Sequence, residues 1–348
     1  MSNASTSEPT DRLRRRRILP SNAFRGALVL MASLANSTLA ATPPAWERLA
    51  PLPSGHGGLV GGAIDGEIII AGGTNWTNDT KSWLDQIWAY DPKRNVWRDA
   101  GRLPVATAYA ATGNDGRTLW FAGGSSGVAT HRSVWRIERG LAPQLAAPLD
   151  RGFVYAAGAT IGTTLYAVGG TDDQAGLERI TNTFLAIDLS TGATKRLADY
   201  PEASLTTSTA VGVGDRVFVF GGARWDAAGK TVVNHSAAHA YSLARKRWEK
   251  LPPLPYAIRG ITAVALDPRH VLVAGGYRND EIEFVANAFV FNVETGTYSP
   301  TIPLPYAAMV GLVKSGDWLF CLGGEDRKKH RTDAVYRLRW ADLLKNAR

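Results

Sequence analysis

Six times along this chain a short apolar run ends in a pair of glycines. The pairs are Gly72-Gly73, Gly123-Gly124, Gly169-Gly170, Gly221-Gly222, Gly275-Gly276 and Gly323-Gly324. They recur about every 50 residues, a period that belongs to repeat architectures. The runs before them, such as Ile68-Ile69-Ile70-Ala71, Val217-Phe218-Val219-Phe220 and Leu319-Phe320-Cys321-Leu322, are rich in β-branched and aromatic residues and bounded by turn residues. Runs of that kind are expected to be strands buried on both faces. A sheet of that kind cannot cover its own faces, so each copy must stack on its neighbours. The glycines let the backbone turn sharply and approach the next copy closely.

After most pairs comes an aromatic strand, often with an acid and then a Trp: Trp88-Ala89-Tyr90-Asp91 with Trp97, Tyr241 with Trp248, Phe291 with Tyr298. The third copy is worn, since no Trp follows Ile187-Asp188. The period, the Gly-Gly and the trailing Tyr and Trp resemble the kelch repeat. Six copies imply an all-β, six-bladed β-propeller. Trp46-Glu47-Arg48-Leu49 looks like an outermost strand without a blade of its own, and the last copy, ending near Tyr336–Trp340, lacks that strand. The N-terminal strand is therefore expected to complete the last blade and close the ring.

The first 40 residues differ from the rest. Arg fills five of the six positions from Arg12 to Arg17, an apolar run follows over Gly26–Ala35, and small residues lead to Ala40. Basic, apolar, then small is the order of a secretory signal, and the apolar run is far short of the roughly 20 residues of a membrane span. The expectation is a signal peptide over 1–40, a propeller over 41–348, and a periplasmic or secreted protein with no membrane contact in its mature form. The net charge is +8, and six arginines against Glu8 and Asp11 place half of it in the leader. The remaining excess is too mild to argue for nucleic acid. The single cysteine, Cys321, excludes an intrachain disulfide and lies in an apolar strand, as a buried structural thiol would.

Strands within a blade alternate in direction. The loop after each Gly-Gly and the loop entering each first strand therefore share one ring face, where variable residues sit on a rigid frame. The first set offers Asn75, Trp76, Arg224, Trp225, Arg278, Glu325 and Arg331. The second, which carries Leu-Pro segments, offers His56, Arg151, Tyr256, Arg259 and Tyr306. Each residue alone has a bland reading as a solvated charge or a packing ring. Several arginines, a glutamate and aromatics on one face suit an anionic sugar: Arg grips a carboxylate through two N–H groups, rings cover apolar sugar faces, and a carboxylate moves protons.

The segment Gly323-Gly324-Glu325 through Arg331-Thr332-Asp333-Ala334-Val335 resembles the hallmark of the N-acetylneuraminate epimerases, the sialic acid mutarotases. Gly72-Gly73-Thr74-Asn75-Trp76 with Trp83-Leu84-Asp85 is similar to a segment of a cyclically permuted branch of that family. The resemblance implies interconversion of the α and β anomers of N-acetylneuraminate, with no metal or redox cofactor. It implies Glu325 and Arg331 as catalytic residues, and Arg259, Arg151, Asn75, Trp76 and Arg224 as substrate-binding candidates. The stretch Arg327-Lys328-Lys329-His330 departs from the pattern in being strongly basic. The competing reading is a non-catalytic kelch propeller that binds a glycan or a protein. A sialidase would carry repeated Ser-x-Asp-x-Gly-x-x-Trp boxes, and a copper radical enzyme would need ligand-spaced histidines; neither pattern occurs.

Overall fold

The computed structural model describes residues 45–347. The expected leader over 1–40 lies outside them. The described chain is an all-β, six-bladed propeller. Blade 1 runs Val60–Ile64, Glu67–Ala71, Gln86–Asp91 and Val96–Arg102, and the next four blades repeat that four-stranded antiparallel meander. In blade 6 the strands Met309–Ser315, Trp318–Glu325 and Val335–Arg339 come from the C-terminal end, and Glu47–Arg48 supplies the fourth. Glu47 lies opposite Arg337 and Arg48 opposite Tyr336. The ring closes by the N-terminal strand, as the sequence predicts.

The core follows from the repeat. Six apolar clusters form, one in each seam between adjacent blades. In the seam of blades 4 and 5, Phe218 and Phe220 meet Val271, Val273 and Phe291. In the closing seam, Ile68, Ile70 and Tyr90 of blade 1 meet Phe320, Leu322 and Val335 of blade 6. Each fully buried side chain of this size contributes about 1.5–3 kcal/mol of transfer free energy, so seam burial is the main force holding the blades together.

The glycine pairs have a specific reason. The second glycine donates its N–H to a carbonyl of the next blade, all the way round: Gly73 to Thr107, Gly124 to Phe153, Gly170 to Leu205, Gly222 to Ile258, Gly276 to Ala308 and Gly324 to His56, at 2.7–2.9 Å. At Gly72 φ is +60°, and an added Cβ would lie 2.1 Å from the Thr107 carbonyl oxygen. No side chain fits there, either sterically or in backbone conformation. The last of these bonds, Gly324 to His56, joins blade 6 to blade 1 and completes the ring.

Outer strands carry a second clamp. Trp97, Trp248 and Tyr298 each donate to a carbonyl in the linker entering their own blade: Ala50 at 3.0 Å, Ala198 at 2.8 Å and Pro252 at 3.1 Å. Trp46 does the same to Pro303 at 2.7 Å. The residue just before the closing strand thus fills the role of the outer-strand Trp of an ordinary blade.

Candidate functional site

Each innermost strand is entered by a residue two positions before its first regular pair with the second strand of the same blade. These residues are Gly58, Tyr109, Tyr155, Thr207, Gly260 and Met309, one per blade, and all line a cavity of about 240 Å3 at the mouth of the ring. The first five have positive φ, between 48° and 65°. Tyr and the β-branched Thr seldom adopt that conformation, and such strain persists only where the surroundings hold it. Here a backbone relay holds it: Tyr109 N–H donates to Gly58, Tyr155 to Tyr109, Thr207 to Tyr155 and Gly260 to Thr207, at 2.7–3.3 Å.

Blade 6 breaks the relay. In the other five blades the strand pairing resumes in register beyond the glycines, as in Gly57 opposite Thr74 and Ala108 opposite Ser125. In blade 6 it slips by one residue and continues as strand, with Met309 opposite Glu325. Among the described residues the hydrogen-bonded relay does not pass through Met309. The slip carries the strand Trp318–Glu325 into the mouth and delivers Glu325 at its end.

Glu325 meets Arg331 there, Nη1 to Oε2 at 2.8 Å. The Arg331 side chain is 4% exposed and that of Glu325 26%, so the carboxylate is the accessible member of the pair. Arg331 also donates from Nε to Thr74 Oγ1 at 3.3 Å, and Thr74 Oγ1 is 3.2 Å from the Tyr109 hydroxyl. Its stem lies over Gly57, where an added Cβ would sit 2.3 Å from Arg331 Cδ; at Gly55 a Cβ would sit 2.1 Å from the Arg331 carbonyl oxygen. The Gly-rich turn around His56 is therefore a socket for Arg331. His56 itself is fully buried, Nδ1 donating to the Gly72 carbonyl at 2.9 Å while Nε2 accepts from Ser54 Oγ at 3.2 Å. Burial pushes its pKa below the ordinary 6.5, the Gly72 bond opposing, so it is a neutral structural ring.

Tyr155 stands in the mouth with its ring 4.9 Å from that of Tyr109. Burial, reinforced by Tyr109 and opposed by Arg331, pushes its phenol well above the usual range, so it stays a proton-bearing donor. Glu325 and Arg331 are the two charged side chains in the mouth wall. Chemically this is a carboxylate with an arginine at its back and phenols beside it, in a cavity with apolar walls: a place to hold an anionic, hydroxylated molecule and to move a proton on it.

The other expected site residues lie elsewhere. Arg259 flanks Gly260 but is tied down, donating to Asn234 at 3.0 Å with its guanidinium 4.4 Å over Tyr277. Arg151 is paired to Asp172 and belongs to a different cavity. Arg224 is exposed on the hairpin Ala223–Asp226 with Thr231–Asn234. Asn75 spends its side-chain oxygen on the Trp76 N–H at 2.8 Å. Trp76 lies on the hairpin Thr74–Thr77 with Thr80–Trp83, where the Lys81 ammonium is 6.0 Å from its ring, 5.0 Å from Trp83 and 4.9 Å from Tyr109. Arg278 stacks 4.3 Å over Tyr256, and the Tyr306 hydroxyl donates to the Gly323 carbonyl at 2.8 Å. Burial pushes the Cys321 thiol up to about 12, which leaves it inert.

The basic loop 327–330 is a rim strap. Lys328 reaches Asp280 at 3.2 Å and Glu283 at 3.8 Å on blade 5, and Lys329 reaches Asp79 at 3.1 Å on the blade 1 hairpin. Sequence reasoning missed Tyr109, Tyr155 and Thr207. Aligning the copies on their Gly-Gly pairs puts all three in one column with Gly58 and Met309, and allowing for the one-residue bulge between Ala265 and Asp267 adds Gly260. Among the described residues no cluster of His, Cys, Asp or Glu has a metal-holding arrangement.

Comparisons with known proteins agree with this architecture. The kelch motif matches residues 57–104. The chain is similar to N-acetylneuraminate epimerase of Salmonella typhi, 25% identical over 42% of this chain and 47% of that protein. It is also similar to the same enzyme of Salmonella typhimurium, 24% identical over 42% and 47%. Kelch-like protein 36 of Rattus norvegicus is 25% identical over 60% of this chain and 33% of that protein. The match spans about half the length of the epimerases and a third of the kelch-like protein. The described chain is a kelch-type propeller.

Proposed function

We propose that this protein is a mutarotase that interconverts the α and β anomers of N-acetylneuraminate. The observation that carries the reading is the Glu325–Arg331 pair, placed in the ring mouth by the one blade that breaks the relay. Glu325 takes the proton of the anomeric hydroxyl as the bond from the anomeric carbon to the ring oxygen breaks. Glu325 returns that proton to the ring oxygen, the anomeric oxygen becomes the keto oxygen, and the open chain rotates. Reclosure on the other face reverses each transfer, so no redox partner or metal takes part. Arg331 braces Glu325 from behind and offers its positive charge to the substrate carboxylate at the mouth wall. Tyr155, kept protonated by burial, is a donor for the sugar hydroxyls. The proposal includes export to the periplasm or beyond, directed by residues 1–40; an N-terminus close to Ala40 on the mature protein is the corresponding expectation.

The kelch-like relative keeps a second reading open, a propeller that binds without catalysis. One assay separates them. N-acetylneuraminate is released as the α anomer by a sialidase and its anomeric signals are followed by proton NMR. Relaxation to β faster than in buffer is expected with this protein. Relaxation at the spontaneous rate removes the mutarotase reading and leaves the binding module.

A further inference from the structure

The blades are not equally filled. In blade 1 the outer-strand Trp97 lies opposite Tyr90, beside Trp88 and Ile70, and plugs the seam with blade 6. The same positions of blade 3 carry smaller side chains. Thr194, opposite Ile187, stands where Trp97 stands; Leu185 replaces Trp88 and Ala167 replaces Ile70. A cavity of about 290 Å3 results, walled by Leu149, Phe153, Ala167, Leu185 and Thr194, and it shares no lining residue with the mouth. Blade 2 also lacks the ring, but there Pro143 and the ion pairs of Arg98 and Arg139 with Glu67 make a charged crevice.

We infer that the blade 3 cavity is a binding site for a free, planar aromatic molecule of the indole or phenol class. Four blades show what such a space accepts, because in each an indole or phenol from the outer strand fills it and donates one hydrogen bond. Asp172, a residue of the wall, receives Arg151 and Arg179 on one carboxylate oxygen, and its other oxygen is buried without a partner. An unpaired buried carboxylate oxygen is costly, and a ligand N–H or O–H relieves it. Among the lining residues two arginines, Arg151 and Arg196, are matched by two carboxylates, Asp150 and Asp172, so the site favours a neutral ring over an anion.

The probe is 5-fluoroindole, followed by fluorine NMR against the full-length protein. Saturable broadening and shift are expected, with a Kd of roughly 1 mM or tighter for a ligand of this size, displaced by unlabelled indole. Thr194→Trp restores the ring of the other blades; it should raise Tm and weaken binding at least about tenfold. If that variant fails to fold, Ala167→Ile, which copies Ile70, decides in its place. Absence of saturable binding to the folded wild type, or equal binding to wild type and the filled variant, overturns the inference.

Discussion

Blade 6 and blade 1 share a seam and a sequence pattern, yet they use the ring mouth in opposite ways. Blade 1 enters the mouth at Gly58 in the left-handed region, joins the backbone relay and resumes its register at Gly57 and Thr74. Blade 6 slips by one residue at Met309, leaves the relay and runs its second strand out to Glu325. The seam bonds are untouched by this change, since Gly324 still donates across to His56 as its counterparts do. A repeat fold is stabilised by what its copies share, and the proposed site lies where one copy departs.

Several substitutions break or sharpen that contrast. The largest effect is expected where the copies agree. Gly324→Ala places a Cβ 2.1 Å from the Met309 carbonyl oxygen at φ +105°, whereas Gly66→Ala, at φ +85°, meets nothing within 4 Å. The first should cost about 3 kcal/mol or more and the second about 1 kcal/mol, as read by urea unfolding. Removing the closing clamp with Trp46→Ala should cost about 2–3 kcal/mol, close to Trp97→Ala, because both rings pack and donate in the same way. A negligible loss at Trp46 would deny the N-terminal strand its role in closure.

Gly57→Ala separates the site from the frame. It pushes on the Arg331 stem without demanding a positive φ, so a loss of about 1–2 kcal/mol is expected, together with a disproportionate loss of sugar turnover. The pH dependence turns on buried histidines, each with a modest share. His56, His235 and His239 all have folded pKa values below 6.5, burial being the main cause in each. The unfolded chain therefore takes up protons first as pH falls. The stability tied to these rings is complete above about pH 6.5 and drains away below it, at up to about 1.4 kcal/mol per pH unit for each ring until its folded pKa is passed. His56→Gln should flatten that acid limb in thermal melts at pH 5 to 7. Lys329→Ala cuts an exposed pair with Asp79 and should leave Tm within measurement error.

The frame was legible in the sequence because its causes are local and repeated. A glycine that must hold φ above zero against a neighbour's carbonyl cannot be replaced, so it recurs and can be counted. The unpaired Trp46 segment announced the closing strand in the same way. The mouth was legible only through Glu325 and Arg331, which sit in a motif. Arg151 and Arg224 share the ring face but not the mouth, because an ion pair with Asp172 holds the one and a hairpin carries the other outward. Tyr155 and Thr207 gave no signal singly, since a strained backbone position has no residue signature unless it is glycine. The worn third copy was visible as a missing Trp, but the cavity it leaves depends on Ala167 and Leu185, which only the strand pairing brings beside Thr194.

The central claim is that the departure of blade 6 makes the site, and equivalent positions in two blades test it. Glu325 in blade 6 corresponds to Ser125 in blade 2, opposite Ala108. Anomer exchange of N-acetylneuraminate is measured by proton NMR for wild type, Glu325→Gln and Ser125→Ala, each shown to be folded. The account predicts that Ser125→Ala keeps most of the wild-type rate while Glu325→Gln loses about 10²-fold or more. Wild-type exchange in Glu325→Gln, or equal losses in both variants, would contradict it.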